Sequence, residues 1–167
     1  FMVPAGWLPG ADWQALPFRP LLPGPAGAPR FVAPYPASLL KLMVAVGVGI
    51  AVDRGLAAWP EALEPMITVS DNDATDLCVK LLHQTGVIAD LNRRFADLGL
   101  RTLQLNDTTP AGGWRNRDGS GVGHIHMSAW DTARLLWLLD ADAPPAPWLP
   151  AGTTLLLTDP AAKVITS

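Results

Sequence analysis

At 167 residues and a net charge of −3, the chain can bury one sizeable core and lacks the basic excess that nucleic-acid binding needs. Its single cysteine, Cys78, excludes an internal disulfide and reads as a small core residue. The longest apolar run, Leu39 to Val52, is too short for a bilayer and carries Lys41 near its start, so no membrane span is expected.

Residues 1–36 are rich in proline and glycine, with Trp7, Trp13 and Phe18 interspersed, and read as irregular packing segments with room for one short strand. Pro34 and Pro36 then give an extended lead-in to a first helix over 38–54, apolar enough to be a buried core helix. A second helix is predicted over 71–84. Ser70, followed three residues later by Asp73, has the form of a capping box at its start. A third helix is predicted over 87–98. The stretch 111–126 is glycine-rich and reads as a flexible or tightly turning loop. A fourth helix, 128–140, carries Trp130, Ala133, Arg134, Trp137 and Leu138 at helical spacing, with Ser128 as a candidate cap for Asp131. Its tryptophans read as core residues. Residues 141–150, with four prolines, form a linker or turn, and Thr153 to Thr158 fits either a strand or the start of a helix.

Two short motifs carry chemistry. In Ser38-Leu39-Leu40-Lys41 the serine and lysine share one helix face, so the amine can take the hydroxyl's proton if the lysine is held neutral. Burial among apolar neighbours disfavours a lysine's charged form, and N–H groups at a helix start can hold a developing oxyanion. The alternative is that Ser38 caps the helix and Lys41 snorkels out of it. In Ser70-Asp71-Asn72, Ser70 offers a second proton-carrying hydroxyl near a leaving group. Asn72 offers an amide to a substrate, and Asp71 acts as a local structural acceptor. Helix capping alone would also explain this motif, and the two readings are compatible.

The pair, in this order, resembles the serine β-lactamases and penicillin-binding DD-peptidases, whose set is S-x-x-K, then S-D-N or S-x-N, then K-T-G. Ser-Asp-Asn is similar to the class A β-lactamases, as are Ile67 to Thr75, Leu98-Gly99-Leu100 and Met127 to Leu136; the resemblance runs over about 31–140. It implies Ser38 as the acylated nucleophile, Lys41 as its base, Ser70 as proton donor to the leaving nitrogen and Asn72 as a ligand of the substrate's side-chain amide.

Three features depart from that pattern. No K-T-G or K-S-G occurs in these residues. Only 32 positions separate Ser38 from Ser70, which predicts a missing or reduced strand and loop around Leu56 to Leu63. The class A glutamate that activates the deacylating water has no counterpart, because no glutamate follows Glu64. Between Leu100 and Met127 the carboxylates are Asp107 and Asp118, and His124 is a further candidate base in the same stretch. His124 and His126 would point the same way on a strand, yet no third ligand lies nearby, so no metal site is assigned. Arg115 and Arg117 could meet an anionic substrate or simply be solvated.

The fold expected is α+β and β-lactamase/transpeptidase-like, mainly the helical domain with an incomplete mixed α/β sheet portion. Its parts would be an irregular 1–37, a helical serine-hydrolase domain at 38–140 and, at 141–167, a linker leading into a C-terminal α/β portion. The expected activity is hydrolysis of a β-lactam through an acyl-enzyme, with no cofactor. A DD-peptidase, or a catalytically weak protein that binds penicillin or cell-wall peptide, is the alternative. The partner is a small molecule, either a β-lactam or a cell-wall peptide, with no nucleic acid. The resemblance implies export to the periplasm or beyond.

Overall fold

The most apolar stretch of the chain becomes its central helix. A computed structural model describes residues 36–113, 125–140, 142–153 and 157–166, all within the unit Phe31–Ser167. Helix α1, Leu40–Asp53, continues from a 3-10 turn at Ala37–Leu39 and buries every residue from Met43 to Ala51. Such burial on all sides marks a helix enclosed by others. Among the described residues no helix is long and apolar enough to cross a membrane.

Two glycines let the neighbours close in. A β-carbon on Gly47 would stand 2.9 Å from a δ-carbon of Leu82 and 3.4 Å from one of Leu91, whereas one on Gly49 would stand 2.8 Å from Leu157 and 3.1 Å from Ile165. Positions two apart lie about 200° around a helix. Leu82 and Leu91 therefore approach α1 from one side, and Leu157 and Ile165 from the other.

Residues 56–60, where the short motif spacing predicted a missing or reduced strand and loop, are irregular, and a turn at 61–62 leads into helix α2, Leu63–Thr68. It buries Leu63 and Met66 and carries Pro65 in its first turn, where a missing N–H costs nothing. The Pro65 carbonyl accepts from both Val69 N–H (3.3 Å) and Asp71 N–H (3.1 Å), so the chain turns back on the helix it has just left. Helix α3, Asn72–Gln84, buries Ala74, Thr75, Cys78, Val79 and Leu82. Helix α4, Ile88–Asp97, buries Leu91 and Phe95. Gly99 at φ +75° ends it in a Schellman turn, with Gly99 N–H on Ala96 O and Leu100 N–H on Phe95 O.

Strands β1, Gln104–Leu105, and β2, Ile125–His126, form an antiparallel pair with Leu105 opposite Ile125 and Gln104 opposite His126. Asn92 of α4 fixes β1 by accepting from Leu105 N–H (2.8 Å) and donating to Asn106 Oδ1 (2.7 Å). The described residues are thus helix-rich with a small two-stranded sheet, compatible with an α+β class.

Helix α5, Ala129–Leu139, starts at Ser128, whose Oγ accepts from Asp131 N–H as its cap. Asp131 is buried yet fully engaged. It accepts from Thr102 N–H (2.9 Å), the Thr102 hydroxyl (2.6 Å) and Arg134 (3.0 Å). The tryptophans of this helix are not core residues. Trp130 is 54 % exposed and Trp137 38 %, because Leu135, Leu139 and Asp131 hold the inward face. Trp137 instead meets Trp148 edge-on and donates to Pro144 O (2.9 Å). Helix α6, Asp159–Thr166, follows Thr158, whose N–H and hydroxyl both bond the Asp53 carboxylate at the end of α1 (2.7 and 2.8 Å). Residues 154–156 lie outside the described residues, so the alternative of strand or helix start is met only at Leu157 and Thr158, which precede α6.

The packing around Gly47 generates a test. Gly47→Val should destabilise the protein by about 2 kcal/mol, because two γ-carbons must enter space already held by Leu82 and Leu91. The midpoint of urea unfolding measures this, with an unchanged slope expected.

Candidate active site

Ser38 sits in the 3-10 turn that leads into α1, just after Ala37, which has a left-handed φ of +51°. Neither Pro36 nor Leu39, the residues at the two helix starts, makes a side-chain cap, and Ser38 is not used as one. One turn later, Lys41 is only 4 % exposed, so it does not snorkel to solvent. Its amine is held by partners from the loop between α2 and α3. Nζ lies 2.5 Å from the Ser70 carbonyl, 2.8 Å from Ser70 Oγ, 2.9 Å from Asn72 Oδ1 and 3.5 Å from Ser38 Oγ. The Ser70 hydroxyl donates to Ser38 Oγ at 2.9 Å. The four residues selected from the two motifs thus converge on one spot, although 29 to 31 positions separate Lys41 from its partners across the loop.

The loop achieves this by a local distortion. Ser70 has φ +60°, a left-handed conformation that costs a non-glycine residue on the order of 1 kcal/mol. It turns both the carbonyl and the hydroxyl of one residue toward Lys41. The N-cap of α3 is therefore Asp71, whose Oδ1 accepts from Ala74 N–H (2.8 Å), and not Ser70 with Asp73. The Asp71 carbonyl in turn accepts from Thr75 N–H (3.2 Å) and the Thr75 hydroxyl (2.6 Å). Capping and presentation are divided between adjacent residues: Asp71 anchors the helix and frees the side chains of Ser70 and Asn72.

The other candidates fare differently. Asp107 is exposed in the turn after β1, with φ +52°. His126 lies in β2 opposite Gln104. Asp118, His124, Arg115 and Arg117 lie outside the described residues. Among the described residues no group of three His, Cys, Asp or Glu side chains is arranged to hold a metal ion. Cys78 is buried in α3, and burial pushes its thiol up to about 11, far from a reactive thiolate.

One feature near the site was missed in the sequence. Asp76 stands one turn beyond Asn72 on α3, and burial, reinforced by the charge of Asp73, raises its carboxyl above the ordinary value. The turn at Thr109–Gly113 packs against it. A β-carbon on Gly112 would fall 2.6 Å from the Asp76 carbonyl oxygen, and one on Gly113 would fall 3.2 Å from Asp76 Oδ1. Both glycines also have left-handed φ values, +98° and +75°. The Gly-Gly pair and the Asn72/Asp76 spacing were the available signals.

Asp71→Ala should cost about 1 kcal/mol through loss of the α3 cap, read from the urea midpoint, and Asp71→Ser should recover most of it.

No curated protein and no solved structure matches this chain. The model of the beta-lactamase enzyme family matches residues 53–141, which include Ser70-Asp71-Asn72 and the whole of α5 and begin after Ser38 and Lys41. That match spans more than half of the 167 residues, and with it the chain belongs to the beta-lactamase enzyme family.

Proposed function

We propose that the protein is a serine hydrolase that works through an acyl-enzyme on Ser38, with the amide bond of a β-lactam as its substrate. The observation that carries this reading is the convergence of Ser38, Lys41, Ser70 and Asn72, with Ser70 Oγ within 2.9 Å of both Ser38 Oγ and Lys41 Nζ. A serine is a weak nucleophile until a neighbouring base removes its proton, and this cluster supplies a base and a second hydroxyl within reach. Lys41 serves as the base for the Ser38 proton. Ser70 delivers a proton to the departing nitrogen, and the Asn72 amide orients the acyl side chain. The finer reading of the fold is the helical part of a β-lactamase/transpeptidase-like domain with part of its sheet. Acting on the family's substrates, such a protein would work in the periplasm or outside the cell.

A second reading is favoured by one sequence observation. No glutamate follows Glu64, so the carboxylate that drives deacylation in class A enzymes has no counterpart here. Without it the ester on Ser38 persists, which is the behaviour of a penicillin-binding DD-peptidase or a binding protein for penicillin or cell-wall peptide.

Intact-protein mass spectrometry after mixing with penicillin separates these outcomes. An adduct on Ser38 that forms and clears supports a hydrolase, and one that persists supports the penicillin-binding reading. Absence of any adduct overturns acyl transfer. Ser38→Ala should abolish labelling. Lys41→Met should slow acylation by about 10³-fold, within the range of general base catalysis, and an unchanged rate would remove Lys41 as the base.

A further inference from the structure

We propose that Asp76 is the general base of the hydrolytic half of the reaction, taking the proton of the water that attacks the Ser38 ester. This rests on the acyl-transfer reading above, and it gives to α3 the carboxylate duty for which no glutamate follows Glu64.

Three polar side chains of α3, Asn72, Asp76 and His83, lie along one stripe, because Asp76 and His83 stand only about 40° and 20° round the helix from Asn72. The outer two are engaged. Asn72 Oδ1 holds Lys41 Nζ at 2.9 Å, and His83 Nε2 lies 2.9 Å from Thr108 Oγ1. Asp76, between them, is half-buried and makes no hydrogen bond or ion pair among the described residues, so its lone pairs are free to meet a water. Cα–Cβ bonds tilt toward the N-terminus of a helix, so Asp76 leans toward the turn that bears Asn72, about 5–6 Å away. A single water spans such a gap.

The turn at Thr109–Gly113 covers Asp76 with backbone alone. A β-carbon on Gly113 would stand 3.2 Å from Oδ1 and 3.6 Å from Oδ2, so glycine there leaves both oxygens without side-chain cover. That turn carries no charged residue, Lys80 one turn on along α3 makes no ion pair with Asp76, and Lys41 of α1 is held at Asn72. The neighbouring charge is Asp73. Burial first, and Asp73 second, raise the Asp76 carboxyl above its ordinary value, which strengthens its carboxylate as a base. In the step itself, the water oxygen bonds to the ester carbonyl carbon on Ser38 while its proton passes to Asp76. The tetrahedral oxyanion then collapses, the C–Oγ bond breaks, and the proton held by Asp76 goes to Ser38 Oγ. One water is consumed, and the hydroxyl and the carboxylate are both restored.

The lifetime of the penicillin adduct tests this assignment. Asp76→Asn, which keeps the size of the side chain, should slow clearance of the Ser38 adduct by at least about 100-fold and slow its formation far less. The base acts ionised, so in the unaltered protein clearance should slow as pH falls through a value above the ordinary one for a carboxyl. Asp76→Asn should lose that dependence. A merely structural role for Asp76 would slow both steps together or leave the pH dependence in place, and either result overturns the proposal. Clearance at the unaltered rate in Asp76→Asn overturns it too. An adduct that forms on the unaltered protein and never clears overturns the role of Asp76 and leaves acyl transfer standing. Failure of penicillin to label Ser38 at all overturns the acyl-transfer reading itself.

Discussion

A lysine side chain inside an apolar helix is expensive to bury unless its amine is fully engaged, and that constraint organises the rest of the structure. Lys41 lies on α1, the helix with the most complete apolar burial, and its neighbours on that helix offer it no polar partner. The partners come from the turn between α2 and α3, through the Ser70 carbonyl, the Ser70 hydroxyl and Asn72 Oδ1. Satisfying one amine therefore fixes the start of α1 against the start of α3. The two motifs become one site as a consequence of this polar requirement inside an apolar frame.

The left-handed conformation of Ser70 is a further consequence. A regular turn would not aim the carbonyl and the hydroxyl of one residue at the same nitrogen. The distortion costs on the order of 1 kcal/mol and is held from both sides. Before Ser70, the Pro65 carbonyl of α2 accepts the Val69 and Asp71 N–H groups. After it, the Asp71 carboxylate caps α3 through Ala74. Strain at a chemical site with support from both flanks fits a serine selected for where its hydroxyl points. A second buried polar knot joins Thr102, Ser128, Asp131 and Arg134, where Arg134 also bonds the Gly99 carbonyl and lies 4.5 Å over the Trp148 ring. It holds α5 to the turn after α4 through side-chain and backbone groups together.

What the sequence reveals follows from how local each cause is. Four helices were legible because their apolar spacing is local, and the cap at Ser128 because its acceptor and donor lie three residues apart. Ser38, Lys41, Ser70 and Asn72 were legible because their residue types and order carry meaning before any contact is known. Helix α2 was not, since six residues containing a proline show no periodicity long enough to read. The cap of α3 was assigned one residue early. Ser70, Asp71 and Asn72 are all good caps, and the choice depends on a left-handed φ that no local preference of serine announces. Trp130 and Trp137 were misread because helical spacing reports a shared face without saying which face turns inward. In α5 the buried Asp131 decides it, because the carboxylate must face Thr102.

The family match covers one stretch of these features. The matched residues 53–141 hold the Asp71 cap, the Schellman glycine at Gly99 and the Thr102–Asp131 knot. Helix α1, apart from Lys41 and its two close-packed glycines, is a run of aliphatic side chains, and such cores accept many substitutions of similar volume. The match begins at the last residue of α1, after Ser38 and Lys41. For those two residues the position of the amine supplies the missing information, because few arrangements bring a buried lysine within 2.8 Å of the Ser70 hydroxyl and 2.9 Å of Asn72 Oδ1.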